Sequence, residues 1–279
     1  MNPEATISLG NAVLFTAAIL GIIASFARPI RSPYDPDRRW DLWNLSLLSF
    51  AGYLWILLLV ILFAPILGEV LTRLVVPDSA IGPQSLSIGA TVVMQVGLVA
   101  IILGAAHRRG WSLKHFFQKK EVGWRRAILH SGHLFLRYLP LVWLVSIFWA
   151  GLLLILVEMG IGSPPAPQLA VQWIAESDSA LFLVIMGLMV VFAAPISEEL
   201  VFRGFLYRFL DERGPARFAL IFSSLLFALL HASLHSFLPL FFIGLLLVKV
   251  YDDTRDIRIP ILFHLYFNLF SFLNLLFLP

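Results

Sequence analysis

Long apolar runs separated by short polar segments repeat along this chain. Runs long enough to cross a bilayer fall at about 5–27, 45–69, 85–106, 133–157, 180–205, 216–235, 237–251 and 258–278. About 20 residues at a rise of 1.5 Å span a hydrocarbon core. The pattern predicts an all-α, polytopic integral membrane protein of about eight transmembrane helices, because helices satisfy their own backbone groups in lipid. The seventh run is short, so 216–251 reads either as two spans or as a pair with a re-entrant element. Two regions follow: 1–179, four helices joined by basic loops, and 180–279, four helices in which polar side chains concentrate.

Composition supports lipid as the solvent. Hydrophobic residues make up 59% of the 279 positions and charged residues 13%, against about 25% charged in a soluble domain. The net charge of +3 is small and gives no nucleic-acid face. Cysteine is absent, which excludes disulfides, thiolate catalysis and thiolate metal sites. Ser25-Phe26-Ala27 resembles a signal cleavage site, but no positive charge precedes it and Arg28 follows at once. A retained anchor helix is the expectation.

The basic residues alternate between loops. Arg28, Arg31, Arg38 and Arg39 lie in the first loop, and Arg108, Arg109, Lys114, Lys119, Lys120, Arg125 and Arg126 in the third. Arg208, Arg213 and Arg217 flank the fifth, and Lys249, Arg255 and Arg258 the seventh, while the loops between carry almost none. The positive-inside rule then makes the odd loops cytoplasmic and both termini non-cytoplasmic; a bacterial or archaeal plasma membrane is the expected location. The segment 111–132 mixes Trp111, Phe116, Phe117 and Trp124 with lysines and arginines. It reads as an interfacial helix on anionic lipid or as a plain cytoplasmic loop. The stretch 161–178, with Pro164, Pro165 and Pro167, reads as an exposed outer loop.

Ionisable side chains inside a membrane are costly, so each is a functional hypothesis. Here they gather in the last hundred residues: Glu198, Glu199 and Arg203 in the fifth span, His231 in the sixth, His264 and Asn268 in the eighth. Glu199 and Arg203 are four apart and share a helix face, so they can pair. Glu198 points about 100° away, leaving one carboxylate compensated and the other free. If the fifth and sixth spans turn near Gly214-Pro215, Glu198 and His231 both lie about 25 Å from the turn. His264 reaches that level only if this hairpin protrudes further toward the cytoplasm. Each feature alone has a structural reading: a Glu–Arg pair as glue, a His–Asn pair as an interhelical hydrogen bond. Their convergence favours a polar site nearer the cytoplasmic side. His107, His115, His130, His133 and His235 lie in loops or at span ends and carry no expectation. Glu69 and Glu158 read as interfacial, and Arg137 as packing and snorkelling.

Glu198-Glu199-x-x-x-Arg203, Phe227-x-x-x-His231 and His264-x-x-x-Asn268 resemble, in order and spacing, the three motifs of the CPBP family. These are the CAAX-processing and bacteriocin-processing intramembrane proteases, also called Abi proteins. The resemblance covers about 180–275, a third of the chain, and includes the flanking EELVFRGFLYRFL and FALLHA. It implies an intramembrane glutamic endopeptidase working by activated water on a membrane-associated peptide or protein, prenylated or leader-bearing. In that scheme Glu198 is the general base and Glu199 assists it, with Arg203 as countercharge. His231 helps hold the water, and His264 with Asn268 stabilises the oxyanion. No cofactor is expected. The alternative is zinc at Glu198, His231 and His264, although no HExxH pattern is present. A non-catalytic scaffold or immunity-type protein retaining the site is the rival function. A transporter fits less well, because the polar residues fall in one half rather than in matching halves.

Overall fold

In the computed structural model, the structure describes residues 3–27, 41–78, 81–117, 122–162 and 168–277, with side chains from residue 15 onward and without that of residue 169. Arg28, Arg31, Arg38, Arg39, Lys119, Lys120 and the prolines at 164, 165 and 167 therefore lie outside the described residues. All regular structure among the described residues is helical. In chain order the helices are α1 (Pro3–Ala27), α2 (Leu47–Val75), α3 (Pro83–Arg108), α4 (Trp124–Glu158), α5 (Leu169–Ala175), α6 (Ala180–Asp211), α7 (Ala216–Leu230), α8 (Phe237–Thr254) and α9 (Arg258–Phe277).

Local chemistry sets several ends. Ser46 caps α2, its Oγ accepting the Ser49 N–H at 3.1 Å. Pro83 opens α3, where a missing N–H costs nothing. Ser179 caps α6 by accepting the Phe182 N–H at 3.3 Å. Gly68 and Gly89 lie where α2 and α3 cross, and a Cβ at either would run into the backbone of the other helix. Small residues at such a crossing let transmembrane backbones approach.

Among the described residues, α2, α3, α4, α6 and α9 are long and apolar enough to cross a membrane. The expected count of eight is not met by that criterion. α7 has 15 residues, about 22 Å of helix, short of a hydrocarbon core of about 30 Å. α8 carries Lys249, Asp252 and Asp253 in its 18 residues. Of α1, Phe15–Ala27 is an apolar stretch of intermediate length.

Two loop expectations are corrected. The segment 111–132 is not a continuous interfacial helix: Leu113–Phe116 forms one tight turn, and α4 already begins at Trp124. Phe116 is buried against Trp43 and Trp111, with ring centroids 6.0 Å apart in each pair, so it anchors the turn to the core instead of to lipid. The stretch 161–178 is not simply an exposed loop, since its described part folds inward as α5. Ile174 is buried there with Phe182 and Met186 of α6. The early start of α4 also places His130 and His133 inside a helix, both buried, instead of at a span end.

The basic segments meet at one end of the molecule. Arg208 donates to the carbonyls of Asp41 and His115, and Arg213 to that of Leu45. The Ile257 N–H donates to the Phe116 carbonyl at 3.0 Å. The Arg258 guanidinium stands 5.2 Å from the ring centroids of both Phe117 and Trp124. One apolar core joins the two regions, running from Leu57 and Ile102 to Phe227 and Phe263. Arg137 stands 5.4 Å from the Phe26 ring centroid, a packing role as expected.

Candidate active site

α6 carries the acidic pair, and its backbone is irregular there. Met189–Ala193 and Leu200–Tyr207 run in π register, with hydrogen bonds to the fifth residue back, on either side of an α segment Ala194–Glu199. Such turns are rare and concentrate at functional sites. They set the rotation of Glu198 and Glu199 relative to the rest of the helix.

Glu199 faces inward. Its Oε1 accepts from Arg203 Nη1 at 3.0 Å and from His264 Nδ1 at 2.9 Å, and the Glu199 and Arg203 side chains are both fully buried. Arg203 also donates from Nη2 to the Gly244 carbonyl of α8 at 3.1 Å. Its guanidinium carbon lies 4.6 Å from the Phe227 ring centroid, a cation–π contact. The pairing expected from the four-residue spacing is therefore present, and α9 joins it through His264.

Glu198 faces a cavity. Its side chain is 24% exposed, and Oε2 stands 3.9 Å from His231 Nε2 and 3.9 Å from His264 Nε2. Both distances exceed a hydrogen bond, and Oε2 has no hydrogen-bond partner among the described residues. His231 closes the C-terminus of α7 with its Nδ1 2.7 Å from the Phe227 carbonyl. A carbonyl only accepts, so Nδ1 carries a proton, and Nε2 is the ring atom turned toward Glu198. The buried Phe227 ring packs edge-on with both imidazoles, with centroids 4.7 Å from His231 and 5.8 Å from His264. Glu198 and His231 thus stand at one level, as the helix-rise estimate expects, and His264 reaches it too, which that estimate made conditional on a protruding hairpin.

Asn268 sits one turn beyond His264 on α9. Its Nδ2 donates to the Val190 carbonyl at 2.8 Å, so one of its two N–H groups is spent on α6 backbone. Among the described residues no group of three or more His, Asp or Glu side chains is arranged to hold a metal ion.

The cavity has a volume of about 450 Å³ and lies between α2, α3, α6 and α7. Leu57, Ile61, Met94, Leu98, Val201 and Leu226 supply much of its apolar wall. Among the described residues, only Glu198, His231 and Gln168 are polar in that lining. Gln168 was missed by sequence reasoning: it stands just before α5, in the stretch read as an exposed loop. Its one signal was the short apolar run LAVQWIA that follows it. A larger cleft of about 750 Å³, between the ends of α2 and α3 and the start of α6, is lined by no ionisable side chain among the described residues.

Fold and site together define an all-α membrane protein with a carboxylate–imidazole centre beside an apolar cavity. Residues 180–270 match the family described as Type II CAAX prenyl endopeptidase Rce1-like. The chain is also 32% identical over 134 residues to a Bacillus subtilis (strain 168) protein described as "Putative membrane peptidase YdiL". That alignment covers 45% of this chain and 55% of the relative, so the chain spans about half the length of the curated relative it matches. No solved structure matches. These findings support the CPBP family, which the three motifs of this segment resemble.

Proposed function

We propose that this protein is an intramembrane endopeptidase that hydrolyses a peptide bond of a membrane-associated substrate with water activated by Glu198. The observation that carries the reading is the position of Glu198 Oε2. It lies 3.9 Å from two imidazole Nε2 atoms, on a side chain that lines an apolar cavity, while the neighbouring Glu199 is held by Arg203. A single water about 2.8 Å from each atom spans such a gap.

Glu198 takes a proton from this water as its oxygen attacks the scissile carbonyl carbon, and His231 Nε2 accepts the other hydrogen as a hydrogen bond. The tetrahedral oxyanion then takes hydrogen bonds from the second N–H of Asn268 and from His264. His264 donates from Nε2 when its ring carries both protons, because Nδ1 is engaged with Glu199. Glu198 returns its proton to the leaving amine as the C–N bond breaks. A positioned general base contributes about 10²–10⁴-fold, and one oxyanion donor about 10²–10³-fold.

No metal enters this scheme. Tetrahedral zinc with bonds of about 2.0–2.1 Å holds its ligand atoms roughly 3.4 Å apart, whereas the two Glu–His distances are 3.9 Å. The apolar walls suit an extended peptide entering sideways from lipid, with a prenyl chain or a hydrophobic leader beside the scissile bond. The basic end is taken as cytoplasmic, in a bacterial or archaeal plasma membrane, by the positive-inside rule.

The test is a cleavage assay in proteoliposomes. The full chain and its Glu198→Gln variant are each given a farnesylated peptide ending in a CAAX box and, separately, a hydrophobic leader peptide. Cleavage by the wild type and a loss of at least about a hundredfold in the variant is the expected result. Equal cleavage by both removes Glu198 as the base. No cleavage of either peptide by the wild type favours a non-catalytic scaffold.

A further inference from the structure

The π turn at Met189–Ala193 leaves a specific backbone debt. The Ala194 N–H donates to the Met189 carbonyl, five residues back. In the same register the next carbonyl, that of Val190, would receive the N–H of residue 195. Residue 195 is a proline, which has none. Inside a membrane no bulk water replaces a missing donor. Asn268 Nδ2 supplies it from α9, at 2.8 Å.

The same helix grips α6 a second time nine residues later, where His264 Nδ1 meets Glu199 Oε1 at 2.9 Å. Between the two grips lie Pro195 and the α segment bearing both glutamates. Four residues separate His264 from Asn268, so both donors project from one face of α9. We infer that Asn268 is a positioning residue. It stands in for the N–H that Pro195 lacks, holds the π turn, and so fixes the rotation that turns Glu198 to the cavity and Glu199 to Arg203. This role is separate from the oxyanion contact assigned above, because the amide has two N–H groups and one of them is committed to Val190.

The separation can be measured as a double-mutant cycle of wild type, Asn268→Ala, Pro195→Ala and the double variant in the full chain. Pro195→Ala restores a backbone N–H within reach of Val190. In that background Asn268→Ala removes only the oxyanion contact, whereas with Pro195 present it also strands the carbonyl. The expected result is that Asn268→Ala lowers kcat at least tenfold more when Pro195 is present than when it is replaced, with KM changed less than threefold in both. Equal losses in the two backgrounds would overturn the inference and leave Asn268 as an oxyanion donor alone.

A second arm needs no substrate and so does not depend on the protease reading. Asn268→Ala is expected to lower the thermal unfolding midpoint in detergent when Pro195 is present and to leave it unchanged in the Pro195→Ala background. A midpoint that falls equally in both backgrounds overturns the inference even if cleavage is never detected.

Discussion

Glu199 is the place where stability and chemistry are most tightly joined, and its replacement has a size that the structure sets. Both of its donors, Arg203 Nη1 and His264 Nδ1, use the same oxygen, Oε1, while Oε2 has no hydrogen-bond partner among the described residues. A glutamine can therefore keep Oε1 as acceptor to both and put its NH₂ where Oε2 stands. Shape survives and only the charge is lost. The Arg203 cation, fully buried, then touches only neutral partners, the glutamine Oε1, the Gly244 carbonyl and the Phe202 and Phe227 rings. Removing one partner of a buried ion pair costs about 3–5 kcal/mol. A neutral hydrogen bond returns roughly 1 kcal/mol of that, so Glu199→Gln should lose about 2–4 kcal/mol. Glu199→Leu keeps no acceptor and should reach the upper end of the full range. The Glu199→Leu, Arg203→Leu pair removes both charges and should recover most of the loss, since apolar replacement of a whole buried pair is often neutral. Glu198→Gln is the control. That side chain is 24% exposed with no salt bridge shorter than 3.9 Å, so its stability should change by less than about 1 kcal/mol. Equilibrium unfolding in mixed micelles, followed by tryptophan fluorescence, gives these differences. If Glu199→Gln is as stable as the wild type, or Glu198→Gln loses more than Glu199→Gln, the assignment of compensated and free carboxylates is wrong.

Three further outcomes can be checked on the same preparations. Cleavage should survive prolonged chelator treatment, and elemental analysis should find no stoichiometric zinc. Zinc bound one to one, with activity lost on its removal and regained on its return, would instead support a metalloprotease. A single cysteine in place of Arg126, in a chain without native cysteine, should be labelled by an impermeant reagent only from the cytoplasmic side, and labelling from outside inverts the topology. Trp43 is fully buried and donates from Nε1 to the Gly204 carbonyl of α6 at 2.8 Å. Trp43→Phe should therefore cost about 1–3 kcal/mol by stranding that carbonyl, and unchanged unfolding would show that this indole does not brace the helix.

What the sequence made legible follows from the cost of charge in lipid. Glu199 and Arg203 could be paired on paper because four residues return a helix to the same face, and neither can face lipid alone. The level shared by Glu198 and His231 followed from rise per residue, and the two side chains stand 3.9 Å apart. Other features had no local signal. The π turns are a register change whose only trace is Pro195, and nothing in the sequence says that Asn268 answers it. Gln168 is uncharged and lies outside every long apolar run, so neither hydropathy nor intramembrane charge pointed to it. His130 and His133 were misplaced because the hydropathy of α4 is diluted by Arg125 and Arg126 at its first turn, although the helix continues through them. Long basic side chains carry their charge to the interface while the backbone stays helical.

The shortness of α7 is what brings a histidine to this level. A helix that crossed the whole core would carry its end, and His231 with it, to the far interface. α7 has only 15 residues, and the chain turns through residues 231–236 before α8. Non-helical backbone at that depth persists only where protein satisfies it. Here the His231 N–H donates to Ala228, that of Ala232 to Leu229, and the Ser236 N–H to Ser233 Oγ. The Leu234 carbonyl accepts from Trp149 Nε1 of α4 at 2.8 Å. Ala232 adopts a φ of 48°, a left-handed conformation that ends the helix directly after the histidine. The bonds that satisfy this turn come from four different side chains or local amides, so shifting it by even one residue would leave several unpaired. The cavity therefore owes the fixed height of His231, and with it the 3.9 Å approach to Glu198, to the turn that ends α7 directly after the histidine.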